Sequence, residues 1–202
     1  MLLYNVRWRG RVKVSTKEMV YAALFAALVG VLGMIPPIPL GFIPVPITAQ
    51  TLGVMLAGGF LGKKTGSISM LLFILLVAFG APLLTGGRGG FSALVGPSAG
   101  YILSWPVAAY FMGLCTEGVW DNLKAWKISL INIVFGVFLI SLIGAPVMAF
   151  ITQTSIWAAL LGATVFFPGD IIKAIIAGII VMQLRSVSPI EHKKHQTLEK
   201  IS

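Results

Sequence analysis

Four long stretches without a charged side chain constrain the fold of this chain more than any other feature. No Asp, Glu, Lys or Arg occurs in residues 19–62, 65–87, 89–116 and 128–169. A helix that crosses the hydrocarbon layer of a membrane needs about 20 mainly apolar residues, and each stretch is long enough for at least one. Only 10% of all residues are charged, whereas soluble domains average roughly 25%. The sequence therefore predicts an integral membrane protein.

The first and last stretches are long enough to cross the membrane twice, and each contains a break. A proline-rich segment, 36–46, interrupts the first stretch, and the polar segment 152–155 interrupts the last. Clustered prolines and small polar residues end helices. We predict one transmembrane domain, 18–185, between a basic arm, 1–17, and a polar tail, 186–202. Its fold class is an all-α membrane protein with six transmembrane helices, near 18–35, 47–62, 65–83, 97–115, 128–151 and 157–184.

Lys and Arg are concentrated on one side of these predicted spans. The arm 1–17 holds five of them, residues 63–64 two, the connection 116–127 two and residues 185–202 four. Basic residues are enriched in cytoplasmic loops, so this distribution places both termini in the cytoplasm. The net charge of +9 is then explained by topology and anionic lipid, and no nucleic-acid partner is predicted.

Asp170 and Lys173 are the exceptions, because they lie within apolar sequence. A charge in hydrocarbon costs about 2.5–3.5 kcal/mol even on insertion scales, so such groups face a partner or a wet cavity. Three residues apart on a helix, they lie on one face and can pair with each other or with one ligand. Counting back from Arg185 at about 1.5 Å per residue places both in the outer half of the membrane.

Three other polar segments reach the same depth on the same side. Arg88 lies in the glycine-rich external loop 85–90, Thr48 and Gln50 lead into the second span, and Ser98 and Tyr101 open the fourth. Irregular backbone and polar side chains at this depth are tolerated where they line a cavity or are buried in protein. We therefore predict a ligand pocket in the outer half of the membrane.

Each of these residues also has a simpler explanation. Asp170 and Lys173 would form a structural ion pair, Arg88 would meet lipid headgroups from a flexible loop, and Thr48 would cap the second helix. Together Arg88, Lys173 and Asp170 carry about one positive charge, which suits a small monoanion with amide-like groups.

The first span carries a stripe of small residues. Ala22, Ala26 and Gly30 share one face, with Ala23 and Ala27 beside them. Small residues four apart allow helices to approach closely in lipid. The stripe predicts either packing within the chain or docking onto another membrane protein.

Recognisable catalytic motifs are missing from the sequence. Residues 62–65, GKKT, resemble the end of an ATP-binding P-loop, but Lys64 replaces the Ser or Thr and Ala57 replaces the first Gly. Cys115 is the single cysteine, which excludes an intramolecular disulfide and a cysteine-based metal site. We predict neither a catalytic residue nor a metal ligand.

The chain resembles the BioY family, the biotin-binding S components of energy-coupling factor transporters. The resemblance covers nearly the whole length and rests on VPITAQ at 45–50, GGRGG at 86–90, GPSAGY at 96–101, and PGD at 168–170 with Lys173. It implies a six-helix S-component fold in a prokaryotic cell membrane, with external loops that close a biotin pocket. The implied biotin-binding residues are Asp170, Lys173, Arg88, Thr48, Gln50, Gly87, Gly89, Ser98 and Tyr101.

The resemblance also implies partners. These are a transmembrane T component and two cytoplasmic ATPases, which alone bind ATP, so that the chain itself has no cofactor. The family's docking motif for the T component corresponds to Ala22, Ala23, Ala26 and Ala27.

The predicted pocket suits the chemistry of biotin. Its ureido group offers two N–H donors and one carbonyl acceptor, which Asp170 and Lys173 could match with charge-assisted hydrogen bonds. Either Arg88 or Lys173 could meet the carboxylate, and Trp105, Phe79 and Tyr101 are candidates for the apolar wall. The alternatives are another vitamin, an ion-coupled carrier with Asp170 as the proton site, or an intramembrane enzyme.

Overall fold

The computed structural model describes residues 15–190, which form a bundle of helices and one short hairpin. The elements in chain order are α1 Thr16–Gly33, β1 Ile38–Leu40, β2 Ile43–Ile47, α2 Gln50–Ala78, α3 Ala99–Gly118, α4 Ala125–Asn132, α5 Ile140–Thr152, α6 Ile156–Ala163 and α7 Phe167–Gln183. Strands β1 and β2 pair antiparallel between the first two helices. A π-helical segment, Ile133–Leu139, joins α4 to α5, and a 3-10 turn, Thr164–Phe166, joins α6 to α7.

The helices have the length and composition of membrane spans. Four are long and apolar enough to cross a bilayer: Thr16–Gly33, Gln50–Ala78, Ala125–Thr152 and Ile156–Gln183. Helix α3, with 20 residues, also reaches the necessary length of about 20. Large apolar side chains such as Phe150, Leu161 and Leu142 are exposed around the bundle, as expected of a lipid-facing surface. The prediction of an all-α membrane protein is confirmed.

Helix α2 is broken at Gly62, close to the predicted boundary between the second and third spans. Gly62 has φ 80° and ψ 176°, outside the helical region. With the two halves of α2 counted separately, the described residues contain six helical rods, in agreement with the predicted number. The second half ends at Ala78, five residues before the predicted 83, and the predicted proline-rich break is replaced by the β1–β2 hairpin.

The break in α2 is held by charged residues of two other helices. The backbone N–H of Lys63 donates to Glu117 Oε1 at 2.9 Å, and Lys63 Nζ lies 3.3 Å from Glu117 Oε2. Lys64 Nζ lies 3.9 Å from Oε2 of Glu18, which also forms a capping box with Ser15 at the start of α1. These contacts gather the start of α1, the end of α3 and the middle of α2 at one end of the bundle.

The alanine stripe on α1 is divided between the interior and the surface. Ala22 and Ala26 are 2% and 1% exposed, and the carbonyl of Ala22 accepts a hydrogen bond from Ser69 Oγ at 2.8 Å. Ala23 and Ala27 are exposed. Of the four predicted docking residues, Ala22 and Ala26 therefore pack inside the chain, and only Ala23 and Ala27 are available to a partner.

Replacement of Gly62 by Ala should destabilise the protein. A side chain at a left-handed φ costs about 1–2 kcal/mol, and a Cβ here would also collide with Glu117 Oε1. Thermal unfolding of the detergent-solubilised protein measures the loss. Gly118→Ala is the matched control, because a Cβ at Gly118 meets no atom within 4 Å; equal melting temperatures for the two variants would contradict the prediction.

Candidate ligand site

A cavity of about 70 Å³, partly open to the surroundings, lies at the opposite end of the bundle from Lys63, Lys64 and Glu117. Strand β2, the first turn of α2, the loop after α2, α3, α5 and α7 each contribute to its wall. Most of the lining is apolar, with a few polar groups directed into the space, as in typical small-molecule sites. The apolar residues include Val45, Ile47, Leu84, Ile102, Trp105, Ile140 and Phe166, and the polar ones Thr48, Gln50, Thr51, Thr85, Arg88, Ser98, Tyr101, Ser141 and Asp170.

Asp170 and Lys173 form an ion pair at the edge of this cavity. Lys173 Nζ lies 2.7 Å from Asp170 Oδ1, and the two side chains are 16% and 12% exposed. The ammonium also donates to the Thr48 carbonyl at 2.6 Å and to Thr51 Oγ1 at 3.1 Å. Its three N–H donors thus have three acceptors, and Lys173 is not among the residues that line the cavity.

Asp170 is arranged differently, because only one of its two oxygens is used. Oδ1 accepts from both Lys173 and Thr51, the latter at 3.0 Å, whereas no residue in 15–190 donates to Oδ2. Asp170 lies in the first turn of α7, where the helix dipole favours a carboxylate. The Asp170 carboxyl group therefore lines the cavity with one oxygen oriented by protein and one that has no donor within residues 15–190.

Thr48 acts through its backbone and does not cap a helix. The N-cap position of α2 is occupied by Ala49, and no side chain caps this end. The alternative interpretation of Thr48 as a cap is therefore wrong. Its carbonyl ties the segment after β2 to Lys173 on α7, across 125 residues of sequence.

Gln50 lines the cavity, but its amide hydrogen bonds are directed into the protein. Nε2 donates to the carbonyls of Val29 and Leu83, each at 3.1 Å. Oε1 accepts from the backbone N–H of Thr85 at 3.2 Å and from its hydroxyl at 2.9 Å. Both donors and both acceptor positions are used, so a polar bond from Gln50 to a ligand would need one of these to break.

The Arg88 loop, defined here as residues 83–90, brings a cation to the cavity. Gly86 and Gly87 have φ of 77° and 70°, which glycine adopts without a Cβ penalty. Gly89 packs against the Ala81 carbonyl with no room for a Cβ. Arg88 lines the cavity, whereas Gly87 and Gly89, predicted as contacts, shape the loop and are not part of the lining.

Two aromatic residues of α3 that line the cavity carry buried polar atoms without a partner among residues 15–190. Tyr101 and Trp105 are both buried and line the cavity, and within the described residues neither the Tyr101 hydroxyl nor Trp105 Nε1 has a hydrogen-bond partner. A buried polar group without a partner is costly, so these two atoms favour a polar ligand. Phe79, a candidate for the apolar wall, is 83% exposed and lies outside the lining.

Sequence reasoning missed several lining residues. Thr51, Thr85 and Ser141 carry polar groups, and Phe166 supplies a ring whose centroid lies 5.9 Å from that of Tyr101. The one signal for Ser141 was a hydroxyl in the middle of an apolar stretch. Thr51 and Thr85 belong to segments already predicted to reach the site.

Removal of one member of the ion pair should cost more than removal of both. Lys173→Met leaves the Asp170 carboxylate without its cation, with an expected loss of about 3 kcal/mol in unfolding free energy. Asp170→Asn combined with Lys173→Met should recover part of that loss. Thermal unfolding without ligand compares these variants with Lys63→Met, which breaks an ion pair whose side chains are 41% and 28% exposed and should cost less than about 1 kcal/mol. Equal losses of unfolding free energy for Lys173→Met and Lys63→Met would contradict the prediction that an unpaired carboxylate costs more at the buried site.

Comparison with known proteins identifies the family. The chain matches the BioY family over residues 8–189. It is 44% identical over 167 residues to the probable biotin transporter BioY of Bacillus subtilis (strain 168), covering 83% of this chain and 89% of that protein. It is 39% identical over 180 residues to the biotin transporter BioY of Lactococcus lactis subsp. cremoris (strain MG1363), covering 85% and 92%.

A solved structure has the same fold. The crystal structure of the S-component for biotin from an ECF-type ABC transporter superposes with a TM-score of 0.81 at 37% sequence identity, covering 86% of this chain and 95% of that one. The family match covers 182 residues, 8–189, and the chain shares the fold of this solved structure. The chain therefore belongs to the BioY family.

Proposed function

We propose that this chain is the biotin-capture subunit of an energy-coupling factor transporter. The observation that carries the proposal is the half-used carboxylate of Asp170: Lys173 and Thr51 hold Oδ1, no residue in 15–190 donates to Oδ2, and Asp170 lines a largely apolar cavity. Two relatives that align with this chain over most of both lengths are named as a probable biotin transporter and a biotin transporter.

The ureido group of biotin complements Asp170. It presents two N–H donors, and the free oxygen of Asp170, whose other oxygen is fixed by two protein donors, accepts from one of them in a charge-assisted bond. Lys173 holds Asp170 and Thr48 in place, and all three of its donors are already used. Lys173 thus supports the site, and Asp170 contacts the ligand.

Arg88 is the group that meets the biotin carboxylate. Its Nε donates to the Thr85 carbonyl at 3.3 Å, and the rest of its guanidinium has no hydrogen-bond partner among residues 15–190. The ion pair of Asp170 and Lys173 is neutral overall, so Arg88 gives the cavity a single positive charge that matches a monoanion. A guanidinium can also bind a carboxylate in a bidentate manner.

The bicyclic ring of biotin lies between these two polar ends. Ile102, Ile140 and Phe166 supply apolar contacts, and the Tyr101 hydroxyl and Trp105 indole N–H supply donors that currently have no partner. Burial of the ring removes apolar surface from water, while the two donors reach the ureido carbonyl or an ordered water bound to it.

The cavity faces outward and both termini face the cytoplasm. Support comes from the distribution of Lys and Arg, which places residues 63–64 and 124–127 on the cytoplasmic side, and from the Glu18–Lys64 and Lys63–Glu117 pairs at that end. Most of the basic arm, residues 1–14, and the tail from 191 lie outside the described residues. The partners are a T component, which docks against α1, and two ATPases, which supply the ATP site.

The other functional hypotheses have less support. An ion-coupled carrier would need Asp170 to take up and release a proton, yet Asp170 Oδ1 is already bound by Lys173 Nζ at 2.7 Å and by the Thr51 hydroxyl. An enzyme would need a second reactive group beside Asp170, and the polar lining offers only hydroxyls, amide groups and Arg88.

Equilibrium binding of labelled biotin to the detergent-solubilised full-length chain tests the proposal. We expect saturable one-to-one binding without ATPases, and Asp170→Asn should weaken it by more than about tenfold, since a bond to a charged group is lost. Ser92→Ala, in the exposed turn after the Arg88 loop and outside the lining, is the control and should bind as wild type. Absence of saturable binding to ligand-free wild type would refute the assignment.

Docking through α1 has its own test. Ala23→Trp and Ala27→Trp should block co-purification with the T component while biotin binding persists, because both side chains are exposed. Ala26→Trp should instead lower the melting temperature, because Ala26 is buried and overpacking costs about 1–3 kcal/mol. Ala158→Trp, exposed on α6, serves as the control. If Ala23→Trp abolished biotin binding as well, this face of α1 would be a packing surface.

A further inference from the structure

We propose that Gln50 is a positioning residue: it fixes the Arg88 loop against α1 and thereby sets where the Arg88 guanidinium meets the ligand's carboxylate. The inference rests on the proposed function, because it assumes that Arg88 binds the carboxylate of biotin. It assigns to Gln50 a role other than the ligand contact that the sequence predicted.

The hydrogen bonds of Gln50 join three separate parts of the chain. Gln50 itself begins α2, Val29 belongs to α1, and Leu83 and Thr85 belong to the Arg88 loop. The side chain is 2% exposed. A buried amide with all four bonds made is well ordered, because any rotation would leave buried groups without partners.

Thr85 connects Gln50 to Arg88 directly. Gln50 Oε1 accepts two hydrogen bonds from Thr85, through the backbone N–H and the hydroxyl. The carbonyl of the same residue accepts from Arg88 Nε at 3.3 Å. The guanidinium is therefore two hydrogen-bonded steps from Gln50, and displacement of Thr85 would move the group that orients it.

Small residues on α1 allow the loop to lie on that helix. A Cβ at Gly33 would collide with the Leu83 carbonyl and would lie 2.8 Å from Gln50 Nε2, and one at Gly30 would lie 3.1 Å from Leu83 Cδ2. These contacts place the Leu83 carbonyl and the α1 backbone close enough for one amide group to bridge them.

Only glutamine can make all four hydrogen bonds of this junction between α1, the start of α2 and the Arg88 loop. An ionised Glu would keep the acceptor for Thr85 but would lose both donors to Val29 and Leu83, and Met would lose all four bonds at similar size. Asn is one methylene shorter and could not reach the same partners. Gln50→Met is thus the variant that removes the junction with the least change in volume.

The experiment compares biotin with biotinol, in which an alcohol replaces the carboxylate, on the detergent-solubilised full-length chain. Gln50→Met should lower the affinity for biotin about tenfold more than the affinity for biotinol, because it disturbs a bond to a charged group that only biotin makes. Arg88→Gln should give the same loss of preference, and Gln50→Met should add nothing to it in the Arg88→Gln background. Gln183→Met, at the exposed end of α7, is the matched control and should leave the preference unchanged.

Other results would overturn the inference in recognisable ways. Equal losses for biotin and biotinol in Gln50→Met would show a general structural role, and a further loss of preference in the Arg88→Gln background would show that the two residues act independently. If wild type bound no biotin, the proposed function itself would fail.

A milder pair of variants covers the case in which Gln50→Met does not fold. Thr85→Val removes one of the four bonds and should reduce the preference for biotin by a smaller factor, whereas Thr85→Ser keeps the hydroxyl and should restore it. An unchanged preference in Thr85→Val would contradict the positioning role.

Discussion

The ammonium of Lys173 needs three acceptors at a depth where water is scarce, and the ligand end of the molecule is organised around supplying them. A buried cation without partners would be expelled or neutralised. The acceptors come from α7 itself, from the first turn of α2 and from the segment after β2. One side chain therefore holds three elements together, and this arrangement leaves one oxygen of Asp170, a residue of the cavity wall, without a donor within residues 15–190.

Gln50 forms a second polar junction, in which a neutral buried side chain, not a cation, joins separate elements by hydrogen bonds. It joins α1, the start of α2 and the Arg88 loop. The two junctions lie on consecutive residues of one helix, since Thr51 belongs to the first junction and Gln50 to the second. The first turn of α2 is thus the point from which both charged groups of the cavity, Asp170 and Arg88, are positioned.

The sequence allowed the membrane fold and the pairing of Asp170 with Lys173 to be predicted, because both depend on local facts. Charge-free length determines which segments can cross a bilayer, and a three-residue spacing on a helix determines that Asp170 and Lys173 share a face. The boundary inside α2 was predicted from Lys63 and Lys64, although the conformational break is at Gly62.

What could not be predicted was the direction in which side chains point after packing. Gln50 was expected to contact ligand, yet its amide faces α1 and the Arg88 loop, both distant in sequence. The alanines of α1 lie on the boundary between buried and exposed faces, and the sequence does not say where that boundary falls. Ser141 lines the cavity because α5 packs against α3, and Phe166 because the turn before α7 brings its ring against that of Tyr101.

The break at Gly62 also sets the thickness of the barrier beneath the cavity. Residues 50–61 make up the first half of α2, twelve residues that span only about 18 Å at 1.5 Å each. Hydrocarbon is about 30 Å thick, so the distance between the site and the charged end at Lys63 is much shorter than the bilayer. Either the bilayer thins beside this part of the protein or the cavity lies well below the headgroups, and both make the protein sensitive to the thickness of its host membrane.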